Sequence, residues 1–303
     1  MSIEQSETAK YWMALGSVRS VGAKTAQRLV DAFGSPEGVI SASVDDISRL
    51  PKISSKLAYE IIEKRNDLKR FEKLVAWMSN IGIKVLCPDN AEYPYLLKLT
   101  QDPPCILYKK GAELPNNKPI ISIVGTCYPT SEGIDIAEKI SSKLSGDGFV
   151  IASGLARGID TAAHKGAINA NGKTIAVIGS GLKKIYPKEN CHLAEEILNN
   201  GVILSECHLN EIVSKQRLLQ RNRITSGIAS AIILIEPESG SLNTAQWALK
   251  YGRPVFLYGN QKNSVSFSHD FLYHIDGLDE LGSVTEVLQN LPHKSDMGQM
   301  SLF

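Results

Sequence analysis

The chain has 303 residues, 43% of them hydrophobic and 21% charged, and its 33 Lys and Arg against 32 Asp and Glu leave a formal charge of +1. This composition is that of a globular protein with one large domain or two smaller ones, and it excludes a protein that coats nucleic acid through a uniformly basic surface. No apolar run approaches the roughly 18 residues of a membrane span, and no cleavable apolar leader is visible, so we expect no membrane association. Five scattered cysteines, an odd number, predict reduced thiols in the cytoplasm.

The charge is unevenly distributed along the chain. Between Lys10 and Lys73 there are 12 Lys and Arg against 8 Asp and Glu, whereas residues 263–293 contain five acids and neither Lys nor Arg. Two further basic clusters lie within residues 183–188 and 215–223. Such clusters indicate a local anionic partner only if they share one rim of the fold, because a charge run is usually just a solvated face.

The first 80 residues show apolar positions at helical spacing, which predicts a bundle of short helices. Two similar pieces, residues 18–26 and 50–58, each place a short polar hairpin before a helix with a small residue near its start. This is the layout of a helix-hairpin-helix element, whose hairpin amides can hold a DNA phosphate. The second piece lacks both glycines, and a plain bundle with tight turns is the alternative.

From about Ile81 the pattern changes to short β-branched runs separated by segments long enough for one helix each. This alternation predicts right-handed βαβ units and a parallel sheet, and the continuous apolar character predicts strands covered on both faces. Residues 88–111 are predicted to be an extension that wraps the sheet. The predicted strands are 120–124, 149–152, 174–178, 202–204, 231–235 and 254–257.

Ligands of an open parallel sheet bind at the carboxyl ends of its strands. Four loops at these ends carry glycine or small hydroxyl residues where a strand turns into a helix, which exposes backbone amides to an anion. One such turn is common in any fold, but four at one edge indicate a phosphate-bearing ligand. The candidate residues of these loops are Gly125, Thr126, Ser153, Gly154, Gly158, Gly179, Gly181, Ser239, Gly240 and Ser241.

Patterns of common cofactor and catalytic sites are missing from the sequence. It has no complete dinucleotide fingerprint, no phosphate-binding Gly-Lys-Ser/Thr and no Gly-x-Ser-x-Gly elbow. The pairs Cys191-His192 and Cys207-His208 are unsuited to one metal ion, since adjacent side chains diverge on a strand or a helix. We therefore expect no metal, no cofactor and no catalytic residues.

Several motifs together resemble the DprA (Smf) family of DNA-processing proteins over roughly residues 80–285. They are Ser-Gly-Leu-Ala-Arg-Gly-Ile-Asp at 153–160 with Ala-His at 163–164, Tyr-Pro at 186–187, Leu-Ser-Glu at 204–206, Arg-Asn-Arg-Ile at 221–224, and Ser-Gly-Ser at 239–241 with Thr-Ala at 244–245. The N-terminal helices resemble the small SAM-like or helix-hairpin-helix domain of that family. The resemblance implies an extended Rossmann-like parallel sheet in an α/β fold, with a helical domain at 1–80, the α/β domain at 81–291 and a flexible tail at 292–303.

The resemblance also implies a function. Members of the family bind single-stranded DNA in a basic pocket, form dimers and load the recombinase RecA during natural transformation, and they are not known as enzymes. The chain departs from the family pattern in two places. Gly125-Thr126-Cys127 stands where Gly-Ser-Arg is usual, and Leu218-Leu219 replaces the usual Phe-Pro. Both departures touch the DNA pocket and predict an altered affinity or ligand, and a winged-helix C-terminal domain is not visible.

Charged and aromatic residues beside these loops suit a strand of DNA. Arg157, Lys188, Arg221 and Arg223 can neutralise successive phosphates, and the polar Asn222 of the same motif is a further candidate DNA contact. The two arginines at 221 and 223 can instead pair with Glu206 or Glu236, and of the two we expect the first to contact phosphate. Tyr186 offers a stacking face to a base. We expect His164 to be structural, and Asp160 to cap its helix or to anchor the loop.

The last five residues carry a separate signal. Gln299, Met300, Ser301, Leu302 and Phe303 follow a polar segment and resemble the pentapeptide by which bacterial replication and repair proteins dock on the DNA polymerase sliding clamp. Leu302 and Phe303 suit an apolar pocket, while Gln299 suits its polar rim. The alternative is a tail that packs on its own domain.

The sequence therefore predicts a homodimeric, non-enzymatic DNA-processing protein with single-stranded DNA, RecA and the sliding clamp as partners. A nucleotide-binding sensor or nucleotide-processing enzyme on the same Rossmann-like fold is the main alternative. A scaffold with a vestigial pocket and an active tail is a third possibility. The nucleotide-binding or nucleotide-processing alternative is disfavoured because the sequence lacks the Pro-Gly-Gly-x-Gly-Thr loop and catalytic acid of nucleotide hydrolases.

Overall fold

A computed structural model describes residues 3–259 and 269–290. The helices of these residues are α1 Ile3–Gly16, α2 Ala23–Phe33, α3 Pro36–Ser41, α4 Val44–Ser48, α5 Ser55–Glu63, α6 Leu68–Asn80, α7 Tyr95–Lys98, α8 Ser131–Gly146, α9 Ile159–Asn169, α10 Cys191–Asn200, α11 Lys215–Ile228, α12 Ser239–Lys250 and α13 Gly282–Asn290. The strands are β1 Ile83–Leu86, β2 Leu107–Gly111, β3 Ile120–Gly125, β4 Val150–Ser153, β5 Thr174–Ile178, β6 Val202–Ser205, β7 Ala231–Ile235, β8 Val255–Tyr258 and β9 Leu272–Ile275.

The predicted α/β fold with a mostly parallel sheet and an N-terminal helical domain is confirmed. The strand order is β1-β2-β6-β5-β4-β3-β7-β8-β9. Each of the six predicted strands is present, and α8 to α12 occupy the five gaps between them. The sequence does not predict β1, β2 and β9, whose apolar residues are interrupted by Lys84, by Lys109 and Lys110, and by His274.

The predicted wrapping extension is only partly right. Its end forms β2, which pairs antiparallel with both β1 and β6, with Tyr108 opposite Val85 on one side and Ser205 on the other. Residues 107–111 therefore belong to the sheet itself and do not cover it. Lys109 of this strand is buried and pairs with Glu92, a polar pair that hides the strand's apolar pattern from sequence analysis.

Serine caps mark where three helices of the N-terminal region begin. Ser35, Ser43 and Ser54 each accept a backbone N–H at the start of α3, α4 and α5, which satisfies one of the donors left over at a helix N-terminus. The first turn of α2 differs, because Gly22 precedes it and provides no side-chain cap. The last helix of the region, α6, ends at Asn80, next to the predicted boundary at residue 80.

Two compact units divide the chain, one made of residues 1–116 and 176–224 and the other of residues 117–175 and 225–303. We call them unit 1 and unit 2. Unit 1 contains the helices α1 to α6 together with β1, β2, β6 and most of β5. The predicted domain limits at residues 81, 291 and 292 stay predictions.

Unit 2 shows how the parallel strands are covered. Alternate residues of β7 point into two different clusters, with Ile233 and Ile235 in one and Ile232 and Leu234 in the other. The first cluster includes apolar residues of α8 and α9, and the second includes Ala245 and others of α12. Both faces of these strands are therefore buried, as the continuous apolar runs predict.

Two negative findings apply to the described residues. No helix among residues 3–259 and 269–290 is long and apolar enough to cross a membrane. Within the same residues, no group of three or more His, Cys, Asp or Glu side chains is arranged to hold a metal ion. His192, one of the residues considered for metal, instead lies 2.9 Å from Glu196 on the next turn of α10.

Candidate nucleic-acid interface

The loop after β3 is filled by two carboxylates of unit 2. Glu238 accepts hydrogen bonds from the Thr126 hydroxyl and from the Cys127 amide, each 3.0 Å long. The Tyr128 amide donates to the Thr126 hydroxyl at 3.0 Å. These donors, which the sequence suggests for a phosphate, are thus bonded within the protein in this conformation.

The second carboxylate, Glu236, lies at the start of α8. It accepts the Thr130 amide at 2.9 Å and also the Thr130 hydroxyl, and that hydroxyl accepts the amide of Gly133. A Cβ atom on Gly133 would lie only 2.6 Å from the Glu236 carboxyl carbon, so glycine makes room for the acid. A negative charge at a helix N-terminus is stabilising, and Glu236 supplies it here.

Close packing accounts for the glycine that ends β3. A Cβ atom on Gly125 would lie 1.9 Å from the carbonyl oxygen of Ile235 and 2.6 Å from Cγ1 of Ile159. Gly158 is similar, since its φ is +71° and a Cβ atom there would lie 2.4 Å from the Thr126 carbonyl oxygen. Both glycines are therefore required by the protein's own backbone, whatever they do for a ligand.

The loop after β4 is anchored by Asp160. Its Oδ2 accepts the amides of Gly154 at 3.0 Å and Ala156 at 3.3 Å, so the prediction that Asp160 anchors the loop is confirmed. Ser153 is buried and donates its hydroxyl to the Ile123 carbonyl. Arg157 lies exposed at the tip of this loop.

His164 has a structural place, as expected. It is fully buried in α9, and its Nδ1 lies 2.7 Å from the Thr174 hydroxyl, which in turn donates to the Ile151 carbonyl. These contacts link α9 to β4 and β5 within unit 2. They place the imidazole in the core and not in a loop where it would meet a ligand.

The start of α12 forms the fourth predicted loop. Ser241 and Glu238 form a reciprocal capping box, in which the Glu238 amide donates to the Ser241 hydroxyl at 2.9 Å. Ser239 is exposed, and a Cβ atom on Gly240 would meet nothing within 4 Å. Gly240 thus differs from Gly125, because the protein itself leaves space beside it.

The loop after β5, residues 179–190 of unit 1, is held mainly by backbone contacts. The Gly181 amide donates to the Glu211 carbonyl at 2.9 Å, and the Lys183 amide donates to the Leu209 carbonyl at 3.0 Å. A Cβ atom on Gly181 would lie 2.1 Å from the His208 carbonyl oxygen, and one on Gly179 would lie 3.2 Å from the backbone of Leu218.

Side chains of this same loop reach solvent. Tyr186 is 42% exposed, and Lys183, Lys184 and Lys188 are exposed as well. The ammonium of Lys183 lies 4.5 Å from the centre of the Trp77 ring, a residue of α6 that is itself 42% exposed. The loop therefore presents three cations and an aromatic ring on a backbone that is fixed from behind.

The arginines of α11 are mostly used inside unit 1. Arg221 is 8% exposed and donates from Nη1 to the Val177 carbonyl at 2.8 Å. Arg223 donates from Nη2 to both carboxylate oxygens of Glu206 at 2.6 and 2.7 Å, and from Nη1 to the Asp102 carbonyl. The alternative role of these arginines, pairing with a glutamate, is thus found for Arg223 with Glu206. Asn222, between the two, is buried.

Burial changes the chemistry near Glu206. Burial raises the pKa of its carboxyl, and the neighbouring Arg223 only partly opposes that rise. Burial also raises the pKa of the Cys105 thiol to about 12. This thiol is therefore protonated at neutral pH, which makes it a poor nucleophile.

A cavity of about 510 Å³ in unit 1 includes Glu206 and Cys105 in its lining. The first hairpin contributes Ser17, Val21 and Gly22 to this lining, and α6 contributes Arg70. The lining also includes Ile106 and Tyr108 at the start of β2, and His208 and Glu211 after β6.

The four loops are predictable from the sequence pattern, but the two acids that fill the loop after β3 are not among the predicted residues. The signal was present as the run Glu236-Pro237-Glu238 at the end of β7. Glu236 has a φ of +44°, which is unusual for a residue other than glycine and which a linear pattern does not reveal.

Comparison with known proteins identifies the family of the chain. The profile of the family described as DNA recombination-mediator protein A matches residues 84–273, and that of a SAM-like helix-hairpin-helix tandem matches residues 13–67. Protein Smf of Synechocystis is 36% identical over 93% of this chain and 72% of its own length. The chain belongs to the DprA/Smf family.

Other members are similar over shorter stretches or in structure. DNA processing protein DprA of Bacillus subtilis is 37% identical over 63% of this chain and 67% of its own length. The X-ray structure of DprA from Streptococcus pneumoniae covers 93% of this chain and 98% of that chain, with a TM-score of 0.73 and 28% identity. A structure describing the single-stranded DNA binding mode of the Helicobacter pylori protein covers 68% of this chain and 96% of that one, with a TM-score of 0.59 and 27% identity.

Residues 299–303, interpreted as a clamp-binding peptide, lie outside the residues that the structure describes.

Proposed function

We propose that the protein binds single-stranded DNA in a DNA-processing role, and that the loop after β5 is a main contact. The observation that carries this proposal is the set of exposed cations and the exposed Tyr186 on a loop whose backbone is fixed by residues 209 and 211. A fixed backbone lets these side chains meet a ligand with little loss of chain entropy. Membership in the DprA/Smf family and the DNA-binding relative of Helicobacter pylori support the same ligand.

The chemistry of the loop favours a single strand. Lysines neutralise phosphates without regard to sequence, and each neutralised phosphate releases counterions. An aromatic ring such as Tyr186 stacks on an unpaired base, which contributes about 1–3 kcal/mol per base. Arg157, exposed on the loop after β4 of unit 2, is a further cation for this ligand.

The structure changes which arginine we expect to matter most. We infer that Arg221 and Arg223 act mainly by holding β5 and the Glu206 segment, because both already donate to acceptors inside unit 1. We infer that the glycines at 125, 158, 179 and 181 serve the fold first. Lys188 and Tyr186 are therefore the side chains through which we propose that unit 1 binds a strand, and Arg157 is a separate candidate contact of unit 2.

A salt titration tests the proposal. Fluorescence anisotropy of a labelled oligothymidylate is measured from low to physiological salt for the unmodified protein and for Lys188→Ala, Arg157→Ala and Tyr186→Ala. Each of the first two variants should weaken binding and lower the slope of log K against log salt by about 0.7, the value for one phosphate of a single strand. Tyr186→Ala should weaken binding without changing the slope.

A matched control is Lys143→Ala, which removes an exposed lysine from the last turn of α8, the end of that helix remote from the loop after β3. Its slope and affinity should equal those of the unmodified protein. Equal slopes in all of these variants would contradict the assignment of the loop. Stronger binding of a mononucleotide than of an oligonucleotide would instead favour a nucleotide-binding sensor or enzyme.

The finer parts of the role are proposals as well. We propose that the protein is a non-enzymatic cytoplasmic homodimer that hands the strand to RecA in natural transformation or recombination. They rest on what the family resemblance implies. RecA loading is tested by filament assembly on strands coated with single-strand binding protein, where a stoichiometric amount of this protein should shorten the lag. An unchanged lag would contradict it.

The proposed docking of the tail on the sliding clamp has its own test. Removal of residues 299–303 should abolish binding to purified clamp and leave oligonucleotide affinity unchanged, because Leu302 and Phe303 would no longer fill the clamp's apolar pocket. Clamp binding that survives the deletion would refute the tail interpretation without affecting the DNA proposal.

A further inference from the structure

An exposed aromatic residue of the helical region lies beside the loop after β5. Trp77 of α6 is 42% exposed, and the Lys183 ammonium lies 4.5 Å from the centre of its ring. Both residues belong to unit 1. The indole therefore continues the exposed surface of a loop that already carries Tyr186 and further lysines.

A row of basic residues leads along α6 to this indole. Lys69, Lys73 and Trp77 are spaced four apart, which places them on one face of the helix, and all three are exposed. The buried residues of α6 are Phe71, Val75 and Met78, which pack towards the interior. The burial of that apolar stripe holds the Lys69–Lys73–Trp77 row at the surface.

The composition of the row needs a reason beyond helix stability. Two lysines four residues apart repel each other and slightly destabilise a helix. An exposed tryptophan places a large apolar ring in water, although a helix surface position can take almost any polar residue. Cations interleaved with an aromatic ring suit a ligand that combines negative charge with flat apolar faces.

We propose that the Lys69–Lys73–Trp77 row is a second contact surface for single-stranded DNA, which extends the strand's path from the loop after β5 onto α6. The inference rests on the proposed function and adds to it that the helical region binds DNA through α6. Lys183 joins the two surfaces, because its ammonium, which lies 4.5 Å from the centre of the Trp77 ring, can move from the ring to a phosphate when a base stacks there. The row spans about 12 Å along the helix axis, given a rise of 1.5 Å per residue.

A single strand fits this surface better than other anions do. A duplex hides the faces of its bases, so it offers nothing for the indole to stack on. An acidic peptide matches the lysines but supplies flat aromatic faces only occasionally. The ligand we infer is therefore a strand long enough to leave the loop after β5 and to reach α6.

The experiment compares two strand lengths. Affinities are measured for oligothymidylates of about six and about twenty nucleotides, of which only the longer exceeds the roughly 4–16 nucleotides that one single-strand binding module covers. The double variant Lys69→Ala/Lys73→Ala should weaken binding of the long strand about tenfold and lower its salt slope by about 1.4, since two phosphate contacts are lost. Its affinity for the short strand should not change.

Tryptophan fluorescence gives an independent readout. Trp12 is 3% exposed and Trp247 of α12 is half-buried, whereas Trp77 is 42% exposed, so Trp77 is the indole that a strand at α6 would quench. The long oligonucleotide should quench the emission of the unmodified protein, and the short one should not. In Trp77→Phe the quenching should disappear, and the long strand should bind about threefold more weakly because the smaller ring stacks less well.

The matched control addresses the hairpins. Lys52→Ala/Lys56→Ala removes two exposed lysines four residues apart at the second hairpin, and it should leave both affinities unchanged. Long-strand affinity that falls in this control and not in the α6 variant would overturn the proposal, as would equal losses for duplex and single strand. All variants replace exposed side chains, and a melting curve confirms that each is folded.

Failure of the inference is distinguishable from failure of the proposed function. If the unmodified protein binds neither strand, the proposed function is wrong. If it binds both strands and the α6 variants bind them equally well, only the second surface is wrong.

Discussion

The loops of unit 2 and the loop after β5 in unit 1 share a sequence pattern but differ in what fills them. In unit 2 the carboxylates of Glu236, Glu238 and Asp160 accept the loop amides. In unit 1 the amides of Gly181 and Lys183 are accepted by backbone carbonyls. The first arrangement leaves fixed negative charge beside the amides, and the second leaves lysines and Tyr186 at the surface.

The difference shows that a glycine-rich turn at a strand end does not by itself provide an anion site. An amide that already donates to a carboxylate can bind a phosphate only if the carboxylate withdraws, and the two negative charges repel each other. A loop closed by neutral carbonyls carries no such penalty. We therefore expect the loop of unit 1 to contribute more to DNA affinity than the loops of unit 2.

The largest expected effect concerns packing in unit 2. Gly125→Ala places a methyl group within 1.9 Å of the Ile235 carbonyl oxygen, so β3 and β7 must shift apart. Overpacking of this kind should lower the free energy of unfolding by about 3 kcal/mol. Chemical denaturation followed by circular dichroism measures it. A stability within experimental error of the unmodified protein would show that the loop is more open than we describe.

Removal of the acid that fills the same loop is expected to lower stability by a smaller amount and to raise DNA affinity. Glu238→Ala removes the acceptor of Thr126 and Cys127 and half of the α12 capping box, which should cost about 2 kcal/mol of stability. Oligonucleotide affinity should rise roughly fivefold, because a charge about 4 Å from a phosphate is worth about 1 kcal/mol in water.

The matched control for that variant is Asp147→Ala in unit 2. It also removes one negative charge, but from an exposed residue at the end of α8 that is remote from the loop after β3. Affinity that rises equally in both variants would mean that overall charge matters and that the freed amides do not. Affinity that falls in Glu238→Ala would break the contrast between the two loops.

The smallest effect is expected for Gly240→Ala. No atom lies within 4 Å of the added methyl group, and the residue is in the first turn of α12, so stability should be unchanged or rise by up to about 1 kcal/mol. DNA affinity should stay within about twofold, as measured by anisotropy. A tenfold loss of affinity at unchanged stability would show that a phosphate approaches this backbone closely.

Much of the fold could be predicted because its signals are local. The strands β3 to β8 are continuous β-branched runs, and each gap between them holds one helix, so periodicity and length sufficed. The strands β1, β2 and β9 give no such signal, because Lys or His residues interrupt their apolar runs. In β2 the buried Lys109 resembles a surface residue until its pairing with Glu92 is known.

The site was less predictable because its contacts join residues far apart in the sequence. Glu238 meets Cys127 across 111 positions, and Arg223 meets Asp102 across 121. Residue type alone does not separate an arginine that binds phosphate from one that holds a strand, since both need the same donors. Arg221 is the predicted phosphate contact, and the carbonyl of Val177 accepts a hydrogen bond from one of its donors, so the phosphate role stays a prediction.

The cavity beside the first hairpin has a consequence for how the helical region meets DNA. Val21 and Gly22 line a space that Glu206 and Glu211 also line, together with the cations Lys64 and Arg70. The two acids are paired with Arg223 and Arg217, so neither presents an uncompensated negative charge to the hairpin. Gly22 is exposed, and a Cβ atom there would meet nothing within 4 Å, so the first hairpin is open to a ligand, as is the outer face of α6.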